Sequence, residues 1–280
     1  MTETIIGPKV LLEGGSGTGK TFSIGKLVDW ASEHEFRVFV LFTENGLETL
    51  AGYWRDRDLE PPANLHWHQT LTKPIGLKGL IDAADKVGKL TYESITKLQD
   101  PARSQNNAFH AILTALADFP DDRTGKRFGP VDSFGVRDIV VIDSLSELAN
   151  ACMKMVIGNK PTASQPDYGL AQNNLMNFLR LCTQGIVSPF ILTAHVDRQT
   201  DEITQSVKIM TKAIGKALAG DIPQLFSDVI YSVREGTSFY WDTAHPSVDL
   251  KTRNLKIAQK LPPDFGVLMD SWARKTGILK

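Results

Sequence analysis

The stretch LLEGGSGTGKTF, residues 11–22, carries the pattern G-x-x-x-x-G-K-[ST] from Gly14 to Thr21. The apolar run that follows Lys9 stops at the glycines, which predicts a short buried strand that leads into a glycine turn. A helix is predicted directly after the turn, over about residues 19–32. This succession of strand, loop and helix is the context in which the pattern is specific rather than accidental.

Loops with this pattern typically hold the phosphates of a nucleotide. Their glycines let backbone N–H groups turn toward phosphate oxygens, and the amino end of the following helix adds partial positive charge. We expect Lys20 to reach the β- and γ-phosphates of ATP and the Thr21 hydroxyl to bind Mg²⁺. The predicted nucleotide-binding residues are Gly14, Gly15, Ser16, Gly17, Thr18, Gly19, Lys20, Thr21 and Phe22.

A second candidate ligand for Mg²⁺ follows a buried strand in the middle of the chain. The run IVVID, residues 139–143, ends in Asp143 after four apolar residues. A carboxylate at the end of a strand that neighbours the phosphate loop suits a magnesium site. The alternative is a solvated acid that caps the strand. Ser144 follows, at the position where AAA+ machines usually carry the glutamate that activates water, so another carboxylate is needed for hydrolysis.

Glu44 is the candidate for that carboxylate, because it follows the apolar core of the stretch RVFVLFTENG, residues 37–46, which predicts a second buried strand. The carboxyl ends of neighbouring parallel strands converge on one site in open α/β sheets. An exposed turn glutamate is the alternative, and Glu48 is a weaker competitor. Thr193 and His195 lie at the end of a further predicted strand, SPFILTAH, residues 188–195. His195 is a candidate sensor of the γ-phosphate, although a lone histidine is as often structural.

The remaining patterns predict one α/β domain over residues 1–280 with a mainly parallel sheet and an antiparallel late edge. NLHWHQ is a candidate third strand, and DVIYSVRE, SFYWDTA and VDLKTRN are candidate late strands. A mobile-looking segment over 157–169 precedes a predicted helix over 170–183. Residues from about 76 to 135 mix helical stretches with polar loops and are interpreted as an insertion or lid.

Composition narrows the function classes further. The net charge of −1 over 280 residues gives no global attraction to nucleic acid or to an anionic membrane, so any DNA contact must be local. Cys152 and Cys182 lack paired metal spacing, which argues against a disulfide framework or a zinc site. No signal peptide and no long apolar run are recognisable. We therefore expect a cytoplasmic protein without membrane association.

The order of these motifs resembles the RecA-superfamily ATPases. FTENGL resembles the segment with the catalytic glutamate, and IVVIDSLSEL resembles the Walker B strand. PDYGLAQNNLMNFLRL followed by PFILTAHVDRQ resembles the helix and sensor strand after the first DNA-binding loop. AIGKALAGDIPQLFSDVIYSVRE resembles the stretch that closes the second loop, and VDLKTRNLKIAQKLP resembles the late strand whose basic residues reach a neighbour's ATP. The compact form looks most like phage-encoded RecA-like nucleotide-binding proteins associated with single-strand annealing.

This resemblance implies a RecA-like core with ATP bound between the protomers of a homo-oligomer. Lys251 or Arg253 would complete the neighbour's site in trans, and a solvated strand edge is the alternative for both residues. The polymerisation segment of bacterial RecA is not recognisable, and the 76–135 segment is longer than expected. A phage-encoded protein of this kind would work in the host cytoplasm, with a single-strand-binding protein as a further candidate partner.

Single-stranded DNA is the expected macromolecular ligand under the same resemblance. The role of Arg198 is open. In the segment after it, Lys208, Lys212 and Lys216 recur every four residues and are predicted to form one basic helical face. Solvated lysines on an ordinary surface helix are the alternative.

Two other function classes remain open on the sequence alone. A P-loop kinase of a nucleotide or small metabolite would use the 76–135 segment as a lid, although Arg103, Arg123 and Arg127 are scattered rather than clustered there. A nucleotide switch or assembly factor would bind ATP without hydrolysing it.

Overall fold

A computed structural model of the chain describes residues 4–71, 108–158, 160, 162–200 and 207–279, together with positions 77, 78, 81, 84 and 85. Within these residues one sheet has seven strands in the order β3-β2-β4-β5-β1-β8-β9, and β6 and β7 form a separate hairpin. The strands are β1 (Lys9–Gly14), β2 (Arg37–Phe42), β3 (Leu65–Gln69), β4 (Asp138–Asp143), β5 (Phe190–Ala194), β6 (Val196–Thr200), β7 (Val207–Thr211), β8 (Asp228–Glu235) and β9 (Ser238–Asp242).

Helices cover both faces of the sheet. The described helices are α1 (Lys20–Glu33), α2 (Leu47–Arg55), α3 (Ala108–Ala117), α4 (Leu145–Ile157), α5 (Gln165–Arg180), α6 (Gly215–Asp221) and α7 (Phe265–Thr276). Side chains of α1, α2 and α7 share one core cluster with Val10 and Leu12 of β1, whereas those of α3, α4, α5 and α6 share the other with Leu11. Burial of both faces explains why the central strands are nearly continuous apolar runs.

The predicted sheet architecture is confirmed. β1 pairs in parallel with β5 and β8, and β9 pairs antiparallel with β8 at the edge. The third predicted late strand is wrong, because VDLKTRN makes only isolated bridges, from Val248 to Ile209 and from Lys251 to Val229. The buried Asp228 carboxylate draws this segment into a turn by accepting hydrogen bonds from the backbone N–H groups of Arg253 (2.8 Å) and Asn254 (2.9 Å).

The helix predicted from residue 170 begins five residues earlier, at Gln165, so part of the mobile-looking segment is helical. Ser164 precedes it, and its backbone N–H (2.8 Å) and hydroxyl (2.6 Å) both donate to Asp167 Oδ2. The Asp167 backbone N–H donates to the Ser164 side chain in return, and this capping box fixes the start of α5. Residues 159 and 161 lie outside the described part of the chain.

The described portion of the 76–135 segment packs into the core rather than standing apart from it. Phe109, Phe119 and Phe134 are buried against the sheet in the cluster of α3 and α4. Arg123 donates to the backbone oxygens of residues 61–63 and 65, and Arg127 pairs with Asp118 at 2.8 Å. Arg103 and most of 76–107 lie outside the described residues, so the insertion or lid stays a prediction.

None of the helices in the described part of the chain combines the length and the apolar character needed to cross a membrane.

Candidate functional site

The phosphate-loop residues connect the carboxyl end of β1 to the start of α1, as the sequence predicts. Gly17 and Gly19 take left-handed backbone angles, with φ of 70° and 87°, which glycine adopts without a steric penalty. A Cβ at Gly14 would lie 2.4 Å from Ser232 O on the neighbouring strand. The loop can therefore follow this path only with glycine at these positions.

Lys20 is buried, and its ammonium group lies against the loop itself. Nζ donates to Gly14 O at 2.9 Å and to Gly15 O at 2.8 Å. Burial lowers the pKa of Lys20 to about 8, although the Asp143 and Glu44 charges oppose the shift. A desolvated cation bound only to carbonyl oxygens is well placed to accept an anionic phosphate as its main partner.

Asp143 ends β4 as a fully buried carboxylate and joins two strand ends to the loop. Thr21 Oγ1 donates to its Oδ2 at 2.8 Å, and the Thr193 hydroxyl at the end of β5 donates to its Oδ1. Burial raises the pKa of Asp143, whereas the two hydroxyl hydrogen bonds oppose the shift. Within the described residues no three His, Cys, Asp or Glu side chains group together as a metal site. One carboxylate beside one hydroxyl fits Mg²⁺, which completes its shell with water and phosphate oxygens.

Thr43, which the sequence did not indicate as a site residue, links the end of β2 to the end of β4 by hydrogen bonds. Thr43 Oγ1 accepts from Ser144 N at 2.8 Å and donates to Ser144 O at 2.9 Å. Gly46 lies close by, and a Cβ there would come within 2.8 Å of Asp143 Oδ2. These contacts hold the segment that carries Glu44 directly beside Asp143.

Glu44 and His195 meet at the phosphate loop. Their Oε1 and Nε2 atoms are 3.6 Å apart, and the proximity of His195 lowers the pKa of Glu44 against the opposing effect of burial. Both line a cleft of about 240 Å³, whereas Glu48 is exposed on α2 and does not line it. The other lining residues are Ser16, Gly17, Thr18, Gly19, Lys20, Thr21, Phe22 and Thr49. Thr49 gave no signal in the sequence.

The predicted basic helical face is wrong. Lys208 lies in β7, Lys212 follows the end of that strand, and Lys216 lies in the short helix α6. The VKIMT segment alternates so that Ile209 is buried against Tyr231 and Val248, and pairing with β6 makes it a strand. Lys208 also pairs with Asp249 at 2.9 Å. The roles of these lysines in DNA binding stay predictions.

Lys251 and Arg253 do not lie at the cleft of their own chain. Lys251 bridges to Val229 near the amino end of β8, whereas Gly14 pairs with Ser232 toward its carboxyl end. The ammonium group of Lys251 donates to Gln224 O at 3.0 Å. Their action on a neighbouring protomer therefore stays a prediction.

A buried carboxyl group, Glu13, precedes the loop by one residue and was not anticipated. It lies on β1, and Thr211 Oγ1 at the end of β7 donates to its Oε2 at 2.6 Å. Burial raises the pKa of Glu13 to about 7; the Thr211 hydrogen bond opposes this shift and the Asp249 charge adds to it. The phosphate-loop strand is thus bonded directly to the hairpin of β6 and β7.

We expect Glu13→Gln to stabilise the protein in a pH-dependent manner. The carboxyl pKa rises from 4.5 to about 7 on folding, so the stability due to the bound proton is complete below pH 4.5 and is lost as the pH rises through 7. Gln keeps an acceptor for Thr211 and does not ionise. The gain in free energy of unfolding should be about 2–3 kcal/mol near pH 8 and small near pH 5. Urea unfolding at both pH values measures it, and a gain independent of pH would contradict the prediction.

The fold and the site together define a P-loop NTPase. The chain belongs to the AAA domain family, whose model matches residues 6–254. A search of curated proteins finds no match. Among solved structures the chain is similar to a prototypical ATPase from the type III secretion system of pathogenic bacteria, with 13% identity, a TM-score of 0.41, and coverage of 82% of this chain and 53% of that chain. The chain spans about half the length of that structure. The predicted class of P-loop ATPase is confirmed, and the likeness to phage annealing-associated proteins stays a prediction.

Proposed function

We propose that this chain is a Mg²⁺-dependent ATPase that acts on single-stranded DNA in annealing, recombination or replication. The observation that carries the proposal is the pair of Glu44 and His195, 3.6 Å apart, in the cleft lined by the phosphate loop. A carboxylate whose pKa is held down stays ionised at neutral pH and can accept a proton from water. Family membership supports nucleotide binding and hydrolysis.

Each residue of the candidate site has a separate role in the proposed hydrolysis of ATP. Backbone N–H groups of the loop and Lys20 bind the phosphates. Thr21 and Asp143 would hold Mg²⁺, which neutralises phosphate charge when bound. Glu44 orients the attacking water and takes its proton, and His195 lies beside the Glu44 carboxylate and favours its ionised form.

The link from the nucleotide to DNA is supported by the position of His195. It directly precedes β6, and its backbone oxygen accepts from Lys212 N at 2.8 Å at the base of the hairpin. A change in the contact between His195 and Glu44 therefore acts on the hairpin that carries Arg198 and Lys208. Glu13 and Thr211 give the hairpin a second connection, to the strand before the loop.

A groove beside Lys212 suits a nucleic-acid strand. About 190 Å³ in volume, it is lined by Lys212, Asn150 and Tyr168 among others, and Tyr168 is 44% exposed. A lysine binds phosphate and an exposed aromatic ring stacks a base without strong sequence preference. Tyr168 lies on α5, outside the hairpin sequence, and supplies the aromatic group that the hairpin itself lacks.

The composition of the cleft supports a site that is shared between protomers. Lys20 is the sole Lys or Arg among its lining residues in the described part of the chain. Arg253 is exposed and is the better candidate for a trans role, because Lys251 is already bound to Gln224 O. A guanidinium from a neighbour would stabilise charge on the transferred phosphate.

Phosphate release with and without a single-stranded oligonucleotide tests the proposal. We expect DNA to stimulate phosphate release. The apparent affinity for DNA should fall about 10-fold when salt rises from about 50 to about 200 mM, because the protein neutralises a few DNA phosphates. Lys212→Ala should reduce the apparent affinity several-fold, whereas Lys126→Ala, an exposed lysine in a distant turn, should not. Sedimentation of the same mixtures reports the oligomer.

Each outcome separates the alternatives. Hydrolysis that DNA leaves unchanged would contradict the DNA role, and transfer of phosphate to a metabolite would favour the kinase. If no phosphate is released either with or without DNA, a nucleotide switch would be the remaining alternative. A monomer with ATP and DNA would contradict the shared site.

A further inference from the structure

An exposed aromatic ring and a guanidinium group face each other on the last hairpin of the sheet. Arg234 of β8 is the register partner of Phe239 of β9, and its guanidinium carbon lies 5.4 Å from the centre of the Phe239 ring. Arg234 is exposed and Phe239 is 42% exposed. Within the described residues Arg234 has no carboxylate partner, and its Nε donates to Gly236 O at 2.9 Å.

This pair continues a row of side chains that emerges at the phosphate loop. Side chains two residues apart on a strand share a face, so Arg234 follows Ile230, which is buried, and Ser232, whose Oγ donates to Thr18 O at 2.9 Å. On the neighbouring strand β9, Phe239 lies two residues before the buried Trp241 and therefore shares its face. Arg234 and Phe239 are the last members of this row, and they are exposed beside the phosphate loop.

The aromatic ring lies directly against the loop backbone. A Cβ at Gly19 would be 3.2 Å from the Phe239 ring, and one at Gly17 would be 3.9 Å from Arg234 Nη1. In the order of strands, β1 separates this pair from the ends of β2 and β5, where Glu44 and His195 follow. The hydrolytic residues and the aromatic pair thus lie on opposite sides of the phosphate loop.

We propose that Phe239 and Arg234 form the nucleobase subsite, with the base stacked on the Phe239 ring and the guanidinium beside it. The proposal rests on the proposed function in that the ligand is a nucleoside triphosphate. A triphosphate whose γ-phosphate meets Glu44 extends its nucleoside toward the other side of the loop, where this ring is exposed. Stacking on a phenyl ring is tolerant of base identity, so ATP and GTP should lose similar affinity when the ring is removed.

A second exposed ring competes for this role. Phe22 is 40% exposed on the α2 side of the loop, but its ring already meets Tyr53 edge-on at 5.0 Å, and Arg57 covers Tyr53 at 3.8 Å. The Phe22 ring thus contacts side chains of the α2 region, including Arg57, whose guanidinium carbon lies 5.9 Å from its centre, whereas the Phe239 ring lies against the backbone of the phosphate loop itself.

Calorimetric titration with ATP and with inorganic tripolyphosphate, which has no base, tests the subsite. Phe239→Ala should lower ATP affinity about 10-fold to 100-fold and leave tripolyphosphate affinity unchanged, and Phe239→Trp should restore ATP binding. Arg234→Met should give a smaller loss of the same kind. The matched control is Ser238→Ala, the neighbour on the other face of β9, which should alter neither affinity.

The outcomes keep this proposal apart from the proposed function. Equal ATP affinity in Phe239→Ala and the unaltered protein, or an equal loss for both ligands, overturns the subsite. Selective loss of ATP affinity in Phe22→Ala but not in Phe239→Ala overturns it as well, since it places the base on the α2 side. Absence of ATP binding by the unaltered protein would instead overturn the proposed function.

Discussion

Glu44→Gln is expected to lower the rate of phosphate release by about 100-fold to 10,000-fold while ATP binding is retained. The glutamine has nearly the same shape and can keep its place beside His195, but it cannot take a proton from water. Lys20, Thr21 and Asp143 are untouched, so the phosphates keep their partners. Single-turnover phosphate release together with a nucleotide-binding titration measures the two effects separately.

Glu48→Gln provides a matched control four residues further along the chain. Its side chain is exposed at the start of α2 and does not line the cleft, so turnover should stay within about 2-fold of the unaltered protein. An unchanged rate in Glu44→Gln, or a large loss in Glu48→Gln instead, would remove Glu44 from the role.

The pH profile of the unaltered enzyme gives an independent check on Glu44. Because the neighbouring His195 holds the pKa of Glu44 below 4.5, the carboxylate is ionised at neutral pH and activity is lost only as the pH falls through that lowered value. Removing the His195 ring should raise the Glu44 pKa and move the acid limb upward. An acid limb that does not move would mean that His195 does not act through Glu44.

The sequence alone was sufficient to predict the placement of residues that follow a local pattern, whose functions stay predictions. Gly14 to Phe22 follow a strand and start a helix, and Asp143 and Glu44 each follow an apolar run. Since carboxyl ends of parallel strands converge, these residues had to meet once the sheet was parallel. This prediction needed only the glycine pattern of the loop and the alternation of buried strands with helices along the sequence.

Residues placed by register between distant strands could not be predicted in this way. The Glu13 bond to Thr211 joins positions 198 residues apart, and the pairing of Arg234 with Phe239 matters only because β8 lies beside β1. The lysines at 208, 212 and 216 show the converse, since a spacing of four residues suggested a helix. Strand pairing and burial of Ile209 overrode that periodicity, and Asp228 similarly turned the VDLKTRN segment away from a strand.

Lys20→Ala is expected to weaken ATP binding by about 10-fold to 100-fold and to abolish measurable turnover, because charged hydrogen bonds in a desolvated site contribute about 1.5–3 kcal/mol each. The fold should survive, since among the described residues Nζ bonds only to the Gly14 and Gly15 oxygens of its own loop. Lys26→Ala is the control: it removes a lysine of the same helix that pairs with Asp264 at 3.7 Å and should bind ATP normally.

Proton uptake distinguishes a direct role of Lys20 from a structural one. Its pKa of about 8 means that above this value the free protein holds a neutral amine, which must take up a proton to bind phosphate as an ammonium ion. The affinity for ATP should therefore fall as the pH rises above 8, with proton uptake visible in calorimetry with buffers of different ionisation enthalpy. Lys20→Ala should lack both the slope and the uptake. If that variant keeps the same slope, the proton belongs to another group and the ammonium of Lys20 is not the phosphate ligand.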